Sequence, residues 1–327
     1  MPVTTNPAKD AALRHLGQWG VFLALAALVL FGWGRYENFL DPFNVMSVLR
    51  YNGMFALVAL GMAFVIMTGG IDLSVGSTAA LASVASALAS AHGVVAGLGA
   101  GLAAGLLVGT VNAVVIVRLR VLPFIATLAT MLAASGCALL LAGNQSVSVS
   151  YETGFTELGQ GDLLGVPVPA WIAAAAYLAG SVVLNLTALG RTVLAVGGNE
   201  DAARLMGLPV DRAKALVYLA SGGLAGLAGV ILAAQFGAGQ PIEGVGWELF
   251  AIAAVVVGGT LLTGGVGSVG TTLAGVLLLG LIFNILNFEN GLGWISLSAY
   301  WQSVVRGVFL LVVVILQSRL AGRAEEA

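Results

Sequence analysis

NGMFALVALGMAFVIMTGGIDLSVGSTAALASVASALASA, residues 52–91, reads as two apolar runs divided by one short polar break. A helix rises about 1.5 Å per residue and the bilayer core is about 30 Å thick, so roughly 20 mostly apolar residues make one crossing. Residues 52–69 and 75–91 each approach that length, and GGIDLSVGS at 69–77 interrupts them. The same pattern extends outward over the whole chain. Of 327 residues, 59% are hydrophobic and 9% charged, with mean hydropathy +1.01. Soluble domains carry about 25% charged residues. The fold class is therefore all-α: a polytopic integral membrane protein.

Ten stretches qualify as spans, near 17–34, 52–69, 75–91, 94–117, 122–142, 168–190, 215–236, 248–264, 271–288 and 300–317. The eighth and tenth are short and the third is mostly Ala, Ser and Gly. The first follows Lys9 and Arg14 as a signal-peptide core would, but its long run reads as a retained span. With the N-terminus inside, Lys9, Arg14, Arg118, Arg120, Arg191, Arg204, Arg212, Lys214, Arg319 and Arg323 face the cytosol, while Arg35 and Arg50 face outward. That ten-to-two asymmetry follows the positive-inside rule and places both termini in the cytosol. The chain reads as one transmembrane domain over 1–327, with a cytosolic loop at about 191–214.

A formal charge of −2 gives no sign of a nucleic-acid partner. Cys137 is alone, and His15 and His92 form no ligand cluster, so metal and triad enzymes are disfavoured and no cofactor or metal is expected. The 46 glycines have no collagen period and suit close helix packing in lipid.

Three constellations carry the chemistry. In the first break, Asp72 reads as a cap for the third span, its carboxylate facing backbone N–H groups and the positive helix end. With Ser74 and Ser77 it also reads as the lining of a route through the membrane. TGGVGSVGTT at 263–272 resembles TGGIDLSVGS at 68–77, which points to two similar helix breaks.

The second constellation is RTVLAVGGNEDAARLMGLPVDRAK, 191–214, a short helix with both ends marked. Asn199 caps it, Glu200 and Asp201 fill the first turn, and Arg204 sits near the end. Gly207 supplies a left-handed stop and Pro209 forbids continuation. Ala202, Ala203, Leu205 and Met206 leave a small apolar face on about two turns, too short to stand alone. Such a face either lies on lipid or seats in a groove of a cytosolic partner.

The third, GVGSVG at 265–270, formally matches a dinucleotide fingerprint with Glu289 as its acid. An apolar helix-length run separates the two, and the strand–turn–helix setting is missing. Asn112, Thr127, Thr130, Asn284, Asn287 and Gln302 read as interhelical hydrogen-bonding groups. Arg306, costly inside lipid, needs a partner, for which Glu248 is a candidate. There is no phosphate-binding G-x-x-x-x-G-K-[ST] loop and no intramembrane acid–histidine relay, so the power source is expected on another subunit. A self-sufficient secondary carrier or facilitator is the alternative. A membrane enzyme on a lipid-linked substrate lacks the residues.

At these motifs the chain resembles the permease subunits of bacterial ribose-type ABC sugar importers. The likeness rests on GGIDLSVGS at 69–77, VLPFIATLATM at 121–131, AVGGNEDAARLMGLPVDRAK at 195–214 and IAAVVVGGTLLTGGVGSVGTTLAG at 252–275. Residues Asn199 through Leu286 look especially like the second permease of galactofuranose-type systems. The resemblance implies a coupling helix of Gly198, Asn199, Glu200, Arg204, Leu205, Met206 and Gly207 seated in an ATP-binding subunit. It implies a translocation pathway near Asp72, Ser74, Ser77, Asn112, Phe124 and Thr127. The implied partners are ATP-binding cassette subunits, a second permease (identical or related), a periplasmic sugar-binding protein and the lipid of the bacterial inner membrane. The implied cargo is a monosaccharide, a pentose or a hexose such as galactofuranose.

Overall fold

The computed structural model describes residues 7–291 together with Trp301, Val304, Gly307 and Val308. Most of the expected tenth span, with Gln302 and Arg306, and both chain ends lie outside the described residues. The helices are α1 (Pro7–Arg35), α2 (Pro42–Met67), α3 (Val75–Ala89), α4 (Val94–Val117), α5 (Pro123–Ala142), α6 (Glu157–Gln160), α7 (Val168–Leu186), α8 (Ala188–Gly198), α9 (Glu200–Leu205), α10 (Val210–Phe236), α11 (Trp247–Val257) and α12 (Val269–Gly291). Two small ladders tie the loops. β1 (Val147–Ser148) pairs antiparallel with β4 (Ala238–Gly239), and β2 (Asp162–Leu163) with β3 (Val166–Pro167).

Among the described residues, α2, α4, α5, α7, α10 and α12 are the six helices long and apolar enough to cross a membrane. Expected spans three and eight are shorter than a crossing. Helix α3 has 15 residues and α11 has 11, or about 22 and 17 Å of rise. Each adjoins non-helical backbone, 68–74 before α3 and 258–268 after α11. Left-handed glycines stop the helix there: Gly69 (φ 78°), Gly259 (84°), Gly264 (89°) and Gly265 (76°). The sixth expected span, 168–190, is likewise divided at Thr187, whose side chain accepts the Gly190 N–H and starts α8.

Helix α2 is the axis of the bundle. From Asn52 to Met67 every residue except Phe55 is buried, as expected of a helix apolar on all sides. It packs against α7, α10, α11 and α12. Its start is fixed by Pro42 in the first turn and by Asp41, whose carboxylate accepts the Phe43 N–H at 2.8 Å.

Helices α4 and α10 meet backbone to backbone. Gly101, Gly105 and Gly109 recur every fourth residue on α4, opposite Gly222 and Gly226 on α10. A Cβ on Gly222 would collide with the Gly105 carbonyl oxygen, and one on Gly109 would lie 2.7 Å from the Tyr218 carbonyl oxygen. This is the small-residue packing that brings membrane helices close. Replacing Gly222→Ala should destabilise the fold by about 1–3 kcal/mol and lower its thermal midpoint in detergent. Gly223→Ala, whose Cβ meets only the Leu106 side chain at 3.1 Å, should melt near the parent. Equal midpoints for the two variants would count against the packing account.

Candidate functional site

The first break is held by a chain of buried hydrogen bonds. Asp72 is 1% exposed, and its Oδ1 accepts the Ser74 N–H at 3.0 Å and the Ser74 hydroxyl at 2.6 Å. Its Oδ2 accepts the Ser221 hydroxyl of α10 at 2.8 Å. Ser74 Oγ in turn accepts from Asn112 Nδ2 of α4 at 2.9 Å, and Asn112 Oδ1 accepts the Thr130 hydroxyl of α5 at 2.6 Å. Thr127 donates to the Ile71 carbonyl at 3.2 Å, and Ser77 to the Ser74 carbonyl at 3.0 Å. One carboxylate thereby links the break to three helices.

Five of the six residues expected near a pathway thus gather at one place. The Phe124 side chain does not: it is 54% exposed on α5, and only its main-chain carbonyl takes part, accepting the Thr127 hydroxyl at 3.4 Å. Asp72 turns the backbone by accepting the N–H two residues on, an Asx turn, while Ser74 at the start of α3 makes no side-chain cap bond of its own. The network is closed, each member facing another member.

The two breaks touch. Gly265 N–H donates to the Met67 carbonyl at 3.0 Å. A Cβ on Gly264 would stand 2.7 Å from the Gly69 nitrogen. Into the same corner comes the end of α8, where a Cβ on Gly197 would collide with both the Met67 oxygen and the Gly265 nitrogen. Gly198, one residue on, has open space at its Cβ position. The likeness between 68–77 and 263–272 thus marks two breaks that pack on each other and on the entrance to α9.

Helix α9 projects from this junction as a short peg. Asn199 Oδ1 accepts the Ala202 N–H at 2.8 Å, and Gly207 adopts φ 77° while the Leu208 N–H reaches back to the Ala203 carbonyl at 3.1 Å, a left-handed stop. Arg204 bridges Glu200 at 3.3 Å and Asp211 at 2.8 Å, and Lys214 pairs with Glu200 from the first turns of α10. Partial burial acts to raise the Glu200 carboxyl, but Lys214 and Arg204 outweigh it and hold it below its ordinary value of 4.5. Stability from this pairing is therefore present above that ordinary value and lost as acid passes the depressed folded value. At neutral pH the Glu200 pairing with Lys214 and Arg204 is in place.

The expected single apolar face on α9 is two faces. Ala203 is fully buried against Val196 and Val210, whereas Leu205 is 90% and Met206 70% exposed. Two residues along a helix turn it by about 200°, so Leu205 points away from the side that Ala203 anchors.

Ser221 and Gly197 escaped the sequence reading. Ser221 precedes two glycines inside an apolar run, and Gly197 looks no different there from Gly198. Glu289 sits at the far end of α12 from the 265–270 glycines, accepting the Tyr36 hydroxyl at 2.6 Å beside Arg35 at 3.6 Å. Among the described residues no group of three His, Cys, Asp or Glu could hold a metal.

A family model described as branched-chain amino acid transport system / permease component matches residues 44–314. The chain is 41% identical over 313 residues to the ribose import permease protein RbsC of Bacillus subtilis (strain 168), covering 95% of this chain and 94% of that protein. It is 40% identical over 306 residues to the protein of the same name from Escherichia coli (strain K12), covering 91% and 92%. It is 38% identical over 304 residues to the L-arabinose transport system permease protein AraH of Escherichia coli (strain K12), covering 92% and 90%. No solved structure matches the chain.

Removing the carboxylate should loosen the break. Asp72→Ala strands the Ser74 and Ser221 donors, at a cost of about 1–3 kcal/mol for buried donors left unpaired. Asp72→Asn keeps an acceptor for Ser74 and should cost less. Thermal melts of the purified protein rank the two, and an Ala variant as stable as its parent would refute a stabilising role for these hydrogen bonds.

Proposed function

The chain belongs to the family of transport-system permease components matched over residues 44–314, and on that premise we propose that it carries a monosaccharide across the bacterial inner membrane. It is a permease of the ABC importer class rather than an enzyme, and the ATPase is a separate subunit. In this reading the cargo is a pentose, the sugar class in the names of the relatives above, none of which is of the galactofuranose type. The partners are ATP-binding cassette subunits, a second permease and a periplasmic sugar-binding protein. Orientation by the positive-inside rule puts α9 in the cytosol.

One observation carries the reading: a rigid, doubly anchored peg leaves Leu205 and Met206 bare while its root at Gly197 is wedged between both helix breaks. Gly198, Asn199, Glu200, Arg204, Leu205, Met206 and Gly207 form the coupling element. Bare Leu and Met side chains on a capped helix suit an apolar groove on the ATP-binding subunit. When the motor domains close on ATP, the peg is displaced as one body. Its root cannot slip past Met67 and Gly265, because main chain already touches main chain there. The push therefore reaches both breaks together. Interfaces so packed favour two discrete arrangements over continuous deformation, which suits alternation between outward- and inward-facing states. Asp72, Ser74, Ser77, Asn112 and Thr127 then serve as the tie between the moving break and helices α4, α5 and α10, with Phe124 on the outer face of α5.

The test uses the whole importer. Leu205→Glu with Met206→Glu should abolish capture of the ATP-binding subunit. Gly197→Ala should retain capture yet cut ATP-driven uptake by about tenfold or more, and Gly198→Ala should transport like the parent. Uphill accumulation of sugar in vesicles containing this chain alone under a cation gradient would instead establish the secondary-carrier alternative.

A further inference from the structure

A cavity of about 720 Å³ lies away from the breaks, between the first turns of α2, the start of α11 and the later turns of α12. Its wall on α2 runs from Ser47 to Phe55, 12 to 20 residues before Met67, or about 18–30 Å along the axis. It thus occupies the opposite half of the bundle from α9. The size falls within the 300–1,000 Å³ usual for small-molecule sites.

The lining has two characters. Phe55 is the centre of an aromatic wall, its ring centroid 4.7 Å from Trp247 and 4.6 Å from Phe250, which continues to Phe283 at 6.0 Å. The lining also holds amides. Asn52, buried on α2, donates to the Val48 carbonyl at 2.8 Å. Asn284 of α12 exchanges hydrogen bonds of 3.2 and 2.8 Å with Asn44 of α2, which locks its orientation. Glu243 stands at the rim.

We propose that this cavity is a transit site for a neutral monosaccharide on its way through the permease. A sugar ring has an apolar C–H face, which suits an aromatic wall, and an edge of hydroxyls, which suits amides that both donate and accept. The described lining also includes Gly307 of the expected tenth span. The inference rests on the importer reading above and adds a place and a chemistry to it. Neither the pathway residues around Asp72 nor the coupling residues belong to this cavity.

Two measurements on the complete importer test it. Phe250→Ala should lower the maximal rate of D-ribose uptake about tenfold while capture of the ATP-binding subunit stays intact; an unchanged rate would overturn the assignment. In a Cys137→Ser background, Ser47→Cys places a thiol on the cavity wall. Millimolar D-ribose should slow its reaction with a small methanethiosulfonate severalfold, and L-leucine should leave it unchanged. Protection by leucine alone, or by neither compound, would sink the proposal, and this labelling decides the matter if Phe250→Ala fails to fold. A parent importer that transports ribose while both cavity tests fail leaves the function standing and the site refuted. A parent that transports no sugar brings down the functional reading itself.

Discussion

Three stretches of main chain converge at Met67, Gly197 and Gly265 with no side chain between them. Everything else in the permease is arranged around that corner. It joins the end of the central helix, the break before α12 and the root of the exposed peg. Each is non-helical or terminal there, so each has backbone groups that lipid cannot satisfy. Packing the breaks against one another, inside protein, answers that requirement. The Gly265 N–H taking the Met67 carbonyl is the direct expression of it. Contact at this range also removes the soft element, a flexible side chain, that would otherwise absorb a push.

The polar groups that tie the first break to its neighbours follow the same economy of partners. Asp72, Ser74, Ser221, Asn112 and Thr130 form one continuous path of donors and acceptors through α3, α4, α5 and α10. In a low-dielectric interior an unpaired polar atom is expensive, so such a path fixes the relative registry of the helices that share it. A route for solute through this cluster requires the path to open. The wider space lies at the other end of α2, where aromatic rings and amides border the cavity.

Helix α9 shows how a six-residue element becomes rigid. Propensity alone leaves two turns unformed. Here Asn199, Gly207 and the ion pairs of Glu200, Arg204, Asp211 and Lys214 close its ends and flank, while Ala203 roots it in the protein. What remains exposed is a pair of large apolar side chains, Leu205 and Met206. The sequence displayed the caps and the charges plainly. It did not display that Ala203 and Leu205 belong to opposite faces, because that depends on which side of the helix meets Val196 and Val210.

Composition and periodicity were enough to determine a helical membrane protein, to point to two breaks, which the structure places at 68–74 and 258–268, and to mark both ends of the peg, since these follow from local hydrophobicity, glycine and capping chemistry. Span eight was read too long, 248–264 against Trp247–Val257, because an apolar run does not reveal where left-handed glycines will end the helix. The partnership of Asp72 with Ser221, 149 residues away, and the contrast between Gly197 and Gly198 were decided only in three dimensions. The two glycines are chemically identical, and what distinguishes them is whether distant main chain occupies the volume of a missing methyl group.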